Sequence, residues 1–357
     1  MLTTNPRATR AAYPSELQSI MSRERAHESR TWLAPWGGLL PGPTPLHGLP
    51  GLAARLGVAS VHLKDESVRS PLASFKALGA PIALVRLVLR LWPGLEPLGV
   101  LAGRHARQLE GLTVTSATDG NHGRALAAAA QSAGCRCVVV LHAQVSTERE
   151  QAIADFGAQI VRIAGNYDDS VAEAARLAAQ HGWHVVSDTS YDGYEEIPRD
   201  VMQGYGILAA EIAEQTQALA GQPGAFTHVF LQGGVGGMAA GVASYLWELH
   251  GAQRPHLAVV EPRQADCLYQ SALQGRPARA TGAVDSVMAG LACGETSPLA
   301  WRFLEQSIDT FLAVEDEDAV EAMRWLAMGV DGDMPVVAGE SGVAGLAGLI
   351  ALWRAPA

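Results

Sequence analysis

The chain has 357 residues, 48% of them hydrophobic and only 17% charged, with a formal net charge of −10. That is enough apolar material for one large or two medium domains, and the composition is that of a compact chain and not a disordered one. The acidic balance, with basic residues scattered singly, argues against a nucleic-acid surface or an anionic membrane partner.

The opening "MLTTNPRATRAAYPSELQS" has no apolar core long enough for a signal peptide, so the chain reads as cytoplasmic. "SELQSIMSRERAHES" is amphipathic and fits a short helix or arm. "LAPWGGLLPGPTPLHGLPG" (33–51) is rich in Pro and Gly but leads into the helix-like "LAARLG", which makes it an ordered entry segment. Short β-branched runs then alternate with Ala-rich stretches, the signature of a parallel sheet covered by helices. Strands are expected at 59–63, 112–117, 136–142, 159–163, 183–188, 227–232, 256–262 and 310–315. Helices are expected at 123–134, 147–157 and 169–182, with Gly134, Gly157 and Gly182 as left-handed stops. The longest apolar stretch, "PIALVRLVLRLW", is broken by Arg86 and Arg90 and falls short of a membrane span.

The four cysteines do not make a disulfide framework. Cys135 and Cys137 fall two apart in "CRCVVVLH", on one face of an expected strand, and read as core thiols because no second Cys/His pair follows to complete a metal site. Cys267 and Cys293 sit in loop or helix-start contexts, and spacing does not say whether they pair.

Among the 26 Lys and Arg residues only Lys64 and Lys76 are lysine. Lys64 stands beside Asp65 and Glu66, where surface charge pairing explains it. Lys76, in "SPLASFKALGAP", has no acidic neighbour in sequence. It is either a snorkelling side chain at a helix start or an amine kept for covalent chemistry, since Lys can lose its proton and form an imine where Arg cannot.

Three further loops stand out. "FLQGGVGGMAAG" (230–241) runs from a strand through four glycines in five positions into a helix. It reads as a tight turn or, better, as a cradle of N–H groups for one phosphate, because no Lys-Ser/Thr follows and the spacing is not the dinucleotide fingerprint. "TSATDGNHGRALAAA" (115–129) puts Asn121 and His122 at a helix start and Asp119 in the loop before it. It is a helix-capping turn or a ligand-binding junction. "VVAGESGVAGLAGL" (336–349) places Ser341 before a last helix, as a cap or as a hydroxyl facing a heteroaromatic nitrogen.

In this order the loops resemble the pyridoxal-phosphate enzymes of fold type II, the group of threonine and serine dehydratases and the tryptophan synthase β subunit. The resemblance runs from "PTPL" (43–46) to the C-terminus. It implies an α/β fold of two open twisted sheet domains with the cofactor in the interdomain cleft. Residues 1–87 with 193–357 would form the large cofactor-binding domain, and 88–192 a small mobile one. It also implies that Lys76 holds pyridoxal 5′-phosphate as an imine and that Gly233, Gly234, Val235, Gly236 and Gly237 bind the phosphate. Asn121 would meet the 3′ oxygen, and Ser341 would face the ring nitrogen.

"TDGNHGRALA", "SDTSYDGYEEIPRDVMQGYGILAAEI" (187–212), "MAGLACGE" (288–295) and "GESG" (339–342) are similar to the diaminopropionate ammonia-lyases in particular. This implies elimination of D- and L-2,3-diaminopropionate to pyruvate and ammonia, with Asp188 as base for the L form and Asp119 for the D form. Ser74, Thr118, Gly120, His122 and Tyr191 join those two in contacting a small amino-acid substrate. It implies a homodimer, with no metal, nucleic acid or membrane as partner. The chain departs from the pattern at Pro71 and Ala73, where Gly and Asn are usual, and at Ala80, where a second Gly is common. A serine, threonine or hydroxyaspartate dehydratase, a β-replacing synthase, and a non-catalytic phosphate-ligand binding protein are the alternatives.

Overall fold

A computed structural model gives the fold and describes residues 1–118, 120–220 and 226–355. The strands, in chain order, are β1 (Leu2–Thr4), β2 (Leu46–Gly48), β3 (His62–Lys64), β4 (Thr113–Ala117), β5 (Arg136–Leu141), β6 (Gln159–Arg162), β7 (His184–Val185), β8 (His228–Gln232), β9 (His256–Pro262) and β10 (Thr310–Val314). Each expected strand is present: β9 matches its expected bounds, β3 is displaced to 62–64 from the expected 59–63, and the others are shortened. β1 and β2, three residues each, carried too little pattern to be foreseen.

Packing divides the chain into two units: Met1–Arg23, Thr44–Asp65 and Leu208–Ala357 in one, Glu24–Pro43 and Glu66–Ile207 in the other. The second unit contains the 88–192 segment and also Lys76, because the helix Ala80–Leu91 packs on the helix Asn121–Ala133.

In that second unit a parallel sheet has the order β6-β5-β4-β7. β4 is buried at every residue and β5 at all but its first; β5 therefore reads as a continuous apolar run, whereas β4 buries Thr113, Thr115 and Ser116 along with Val114 and Ala117. Helices Asn121–Ala133, Thr147–Ala154 and Tyr167–His181 link successive strands. Gly134 and Gly182 end the first and last of these in the left-handed region (φ 80° and 68°), as the sequence led one to expect. Gly157 is also left-handed, but two residues past the cap Asp155. The helix Ala80–Leu91 is buried from Ala80 to Val88, and its two arginines are paired: Arg86 with Glu28 at 2.8 Å, Arg90 with Asp200 at 2.7 Å. The buried Arg86 guanidinium requires such a partner. Among the described residues no helix is long and apolar enough to cross a membrane.

The first unit has the sheet β1-β10-β9-β8, parallel except for β1, and a separate antiparallel pair β2-β3 joined through the helix Pro50–Leu56. Its core joins Leu49, Leu52 and Leu56 to Val260, Leu312, Val314, Leu326 and Ile350. Each such side chain contributes about 1.5–3 kcal/mol by leaving water.

Lys64 does not lie in a surface charge pair. Its Nζ is inside the first unit and donates to Glu211 Oε2 (2.7 Å), Thr44 O (2.8 Å) and Gln215 Oε1 (3.0 Å). Sequence neighbours suggested Asp65 and Glu66, but β3 turns this side chain toward the helix Glu196–Ala220, whose Glu211 is far along the chain.

Candidate active site

In the second unit the chain builds outward from β4 to β5 and β6, then returns to place β7 on the other side of β4. β4 and β7 therefore flank the point where strand order reverses, and ligands of such sheets bind beyond the carboxyl ends of the strands there. The segment after β4 carries Thr118, Gly120, Asn121 and His122, and the segment after β7 carries Asp188.

Lys76 and Asp188, remote in sequence, meet. Lys76 Nζ donates to Asp188 Oδ2 at 2.5 Å, and His122 Nδ1 lies 3.7 Å from the same oxygen. The ammonium also stands 5.4 Å from the Phe75 ring centre and 5.7 Å from that of Tyr205, within cation–π range. Burial works to raise the Asp188 pKa, but the charge of Lys76 outweighs it and holds the carboxyl well below the usual range. His122 is buried, and burial lowers its pKa, so the ring is neutral at pH 7. Its Nε2 faces Val186 O at 2.9 Å, an atom that can only accept, so Nε2 carries the proton. Nδ1 is then a bare acceptor, and it has no hydrogen-bond partner among the described residues. Burial pushes the Tyr205 phenol up to about 12, keeping it protonated beside Lys76.

The turn that presents Lys76 is held at both ends. Ser74 caps the short 3-10 helix Phe75–Leu78, accepting from Lys76 N at 3.3 Å. Behind it the backbone of Gly204 presses on that of Leu78, where a Cβ on Gly204 would come within 2.0 Å of Leu78 O. A Cβ on Gly79 would strike the Tyr205 ring at 2.6 Å. One glycine therefore suffices at 79–80, and Ala80 is accommodated with no exposure. Ala73 adopts φ 49°, a left-handed conformation that Asn or Gly tolerates better.

Thr118 Oγ1 accepts from Gly120 N (3.1 Å) and Gly123 N (3.3 Å), closing the turn into the helix Asn121–Ala133. No side chain caps that helix from its N-cap Gly120, and Asn121 is exposed, so the simple capping reading of Asn121 does not hold. Asp119 lies outside the described residues. Tyr191 is 43% exposed and stacks on Tyr194 with ring centres 4.8 Å apart.

In the first unit the glycine loop joins β8 to the helix Gly237–His250. Gly233 N donates to Val260 O at 2.8 Å. Among the described residues no acceptor meets the amides of Gly234, Val235, Gly236 or Gly237, and no side chain caps the helix. Gly236 has φ 101°, and a Cβ there would come within 2.8 Å of Leu304. Two thiols flank the loop: Cys267 Sγ lies 3.5 Å from Gly234 O, and Cys293 Sγ 3.3 Å from where a Gly234 Cβ would sit. Both are free cysteines, as are Cys135 and Cys137, which are buried as expected. Ser341 is not a helix cap, since Val343 takes the N-cap position of the helix Ala344–Arg354. Its hydroxyl accepts from Gly290 N at 2.9 Å, which leaves its proton to donate elsewhere.

The profile of the family described as "Pyridoxal-phosphate dependent enzyme" matches residues 38–356. The diaminopropionate ammonia-lyase of Escherichia coli K12 is 40% identical over 316 residues, which are 88% of this chain and 78% of that protein. The chain belongs to the diaminopropionate ammonia-lyase family. Crystal structures agree: the selenomethionine-incorporated holo diaminopropionate ammonia-lyase from E. coli superposes with a TM-score of 0.89 at 37% identity, covering 100% of this chain and 87% of that one. The same E. coli enzyme in complex with D-serine gives 0.88 at 37% identity, with the same coverage. Pyridoxal phosphate is the cofactor of this ammonia-lyase family, and the residues present fit it. An uncapped helix start with close-packed glycines offers N–H groups of the kind a phosphate needs. The Lys76 side chain, 23% exposed and tethered by a carboxylate, is an amine withdrawn from bulk water.

Tyr194, Tyr205 and Gly204 escaped the sequence reading. All three fall inside the "DTSYDGYEEIPRDVMQGYGILAAEI" stretch that carries the ammonia-lyase resemblance, and "GYG" in mid-helix was the available signal.

Proposed function

We propose that the chain is a pyridoxal-phosphate-dependent carbon–nitrogen lyase that eliminates ammonia from both enantiomers of 2,3-diaminopropionate, giving pyruvate and two ammonia after hydrolysis. The observation that carries the reading is the Lys76–Asp188 pair beside neutral His122, in a chain that shares 40% identity with the E. coli enzyme. The cofactor, when bound, supplies the electron sink for the charge released at Cα. Lys76 would hold its aldehyde, Gly233, Gly234, Val235, Gly236 and Gly237 its phosphate, Asn121 its 3′ oxygen, and Ser341, as donor, its ring nitrogen.

Asp188 takes the Cα proton of the L substrate, and Asp119 that of the D substrate. A carboxylate held far below its usual pKa is a weak base, and here the charge of Lys76 keeps it so. Once the Lys76 amine is engaged elsewhere and that charge is withdrawn, burial dominates and Asp188 becomes a better base. The proton it collects is the one the departing β-amine requires, so one residue serves as base and then as acid. Ser74, Thr118, Gly120, His122 and Tyr191 border the substrate. In this reading the enzyme is a cytoplasmic homodimer with a small mobile domain built on residues 88–192.

Pyruvate release from D- and L-diaminopropionate, serine and threonine tests the reading. Diaminopropionate should be turned over best, and Lys76→Ala should abolish both the activity and the cofactor absorbance near about 415 nm. Serine turnover equal to or above that of diaminopropionate overturns the assignment.

A further inference from the structure

The approach to Asp188 has an unusual edge. β7 is an outer strand of its sheet, so every second residue along it turns its backbone polar groups away from β4. Val186 faces inward: its N–H donates to Thr115 O at 2.8 Å, and its carbonyl accepts from His122 Nε2 at 2.9 Å. Val185 and Ser187 face outward, where no further strand pairs with β7 among the described residues. A single phenol fills that place. Tyr194 Oη donates to Val185 O at 2.9 Å and accepts from Ser187 N at 3.0 Å, using its one proton and a lone pair. Its ring is fixed in turn: Tyr194 N donates to Tyr191 O at 2.9 Å, and the two rings stack at 14°. The residue after Ser187 is Asp188.

We propose that Tyr194 is a positioning residue that sets the place of the Asp188 carboxylate, its hydroxyl standing in for a missing strand at residues 185–187. The proposal rests on the reading of Asp188 as a base. Inward bonds hold Val186 and His122, and outward bonds hold the peptides on either side, so the carboxylate leaves a segment clamped from both faces. Without the hydroxyl the inward bonds remain and the outward ones are lost. Ser187 and Asp188 then swing about Val186, changing the distance from the carboxylate to both Lys76 and the substrate Cα. A displacement of about 1 Å at a reacting group can cost on the order of a hundredfold in rate.

The test compares Tyr194→Phe, which keeps the stacked ring, with Asp188→Asn, on both enantiomers of diaminopropionate. The expected result for Tyr194→Phe is a fall in kcat of about tenfold or more for the L form, with KM and D turnover changing less than about threefold. Hydrogen exchange of a peptide spanning residues 183–190 supplies a readout independent of catalysis, and the Ser187 amide should exchange faster in the variant. Should Asp188→Asn impair both enantiomers equally, the division of labour between the aspartates fails. The positioning role then requires Tyr194→Phe to impair both as well. A Tyr194→Phe enzyme with wild-type rates, an enantiomer pattern unlike that of Asp188→Asn, or unchanged exchange at Ser187 overturns the proposal. If Tyr194→Phe does not fold, 4-aminophenylalanine at position 194 replaces it. That variant must keep the wild-type L-to-D ratio within about threefold, and a fall overturns the proposal.

Discussion

Replacing Lys64 by Met separates a buried ion pair from a surface one. The Lys64 ammonium holds three acceptors, and the Glu211 side chain it neutralises is only 2% exposed. In Lys64→Met, Glu211 keeps the amide of Thr44 as a donor at 3.2 Å. Thr44 O is not orphaned, because Gln215 Nε2 still reaches it at 2.8 Å. The dominant loss is therefore the counter-charge of a buried carboxylate, worth about 3–5 kcal/mol. That is a large part of the 5–15 kcal/mol by which domains are typically stable. Removing the other charge as well, in Lys64→Met/Glu211→Leu, should recover most of the loss. An apolar pair of similar volume is often no worse than the salt bridge, and the residual defect is the Thr44 amide, at about 1–3 kcal/mol. Urea unfolding followed by circular dichroism and by tryptophan fluorescence measures all three proteins. A single variant within about 1 kcal/mol of wild type, or a double variant no more stable than the single, refutes the reasoning.

Ala73→Asn should stabilise the protein by about 1 kcal/mol, because Asn occupies the left-handed region at φ 49° with less strain; a lower melting temperature would count against this. Gly204→Ala must push its methyl against Leu78 O, at a cost of about 1–3 kcal/mol, and shift the turn carrying Lys76. Its kcat should fall along with its urea midpoint, and wild-type values for both would contradict the close approach. The Asp188 pKa lies below its unfolded value of about 3.9, so the folded state binds fewer protons there. The stabilisation is complete above that pH and drains away as acid is added below it. Urea midpoints of wild type and Asp188→Asn should converge as the pH falls from about 5 toward 2, and parallel curves would contradict the linkage.

Much of this protein could be read along the chain because parallel strands and their covering helices impose local patterns. The buried runs of β4, β5, β9 and β10 and the glycine stops at 134 and 182 are recorded in consecutive residues. So are the four glycines of 233–237, whose lack of side chains is itself the message. The resemblance carried Lys76, Asp188 and Ser341 as well. Their roles depend on neighbours, and those were not legible. Lys64 and Lys76 differ in sequence, one beside acidic residues and one without them. Folding gives the first to Glu211 and the second to Asp188, 112 residues away, so neither partner is a sequence neighbour. Tyr194 is one tyrosine among several until β7 turns out to be an edge strand with two backbone groups to satisfy. Composition and periodicity act over a few residues and so determine the elements. Charge pairing, hydrogen-bond satisfaction and pKa depend on which atoms lie within a few ångströms of one another, and only the packed chain decides that.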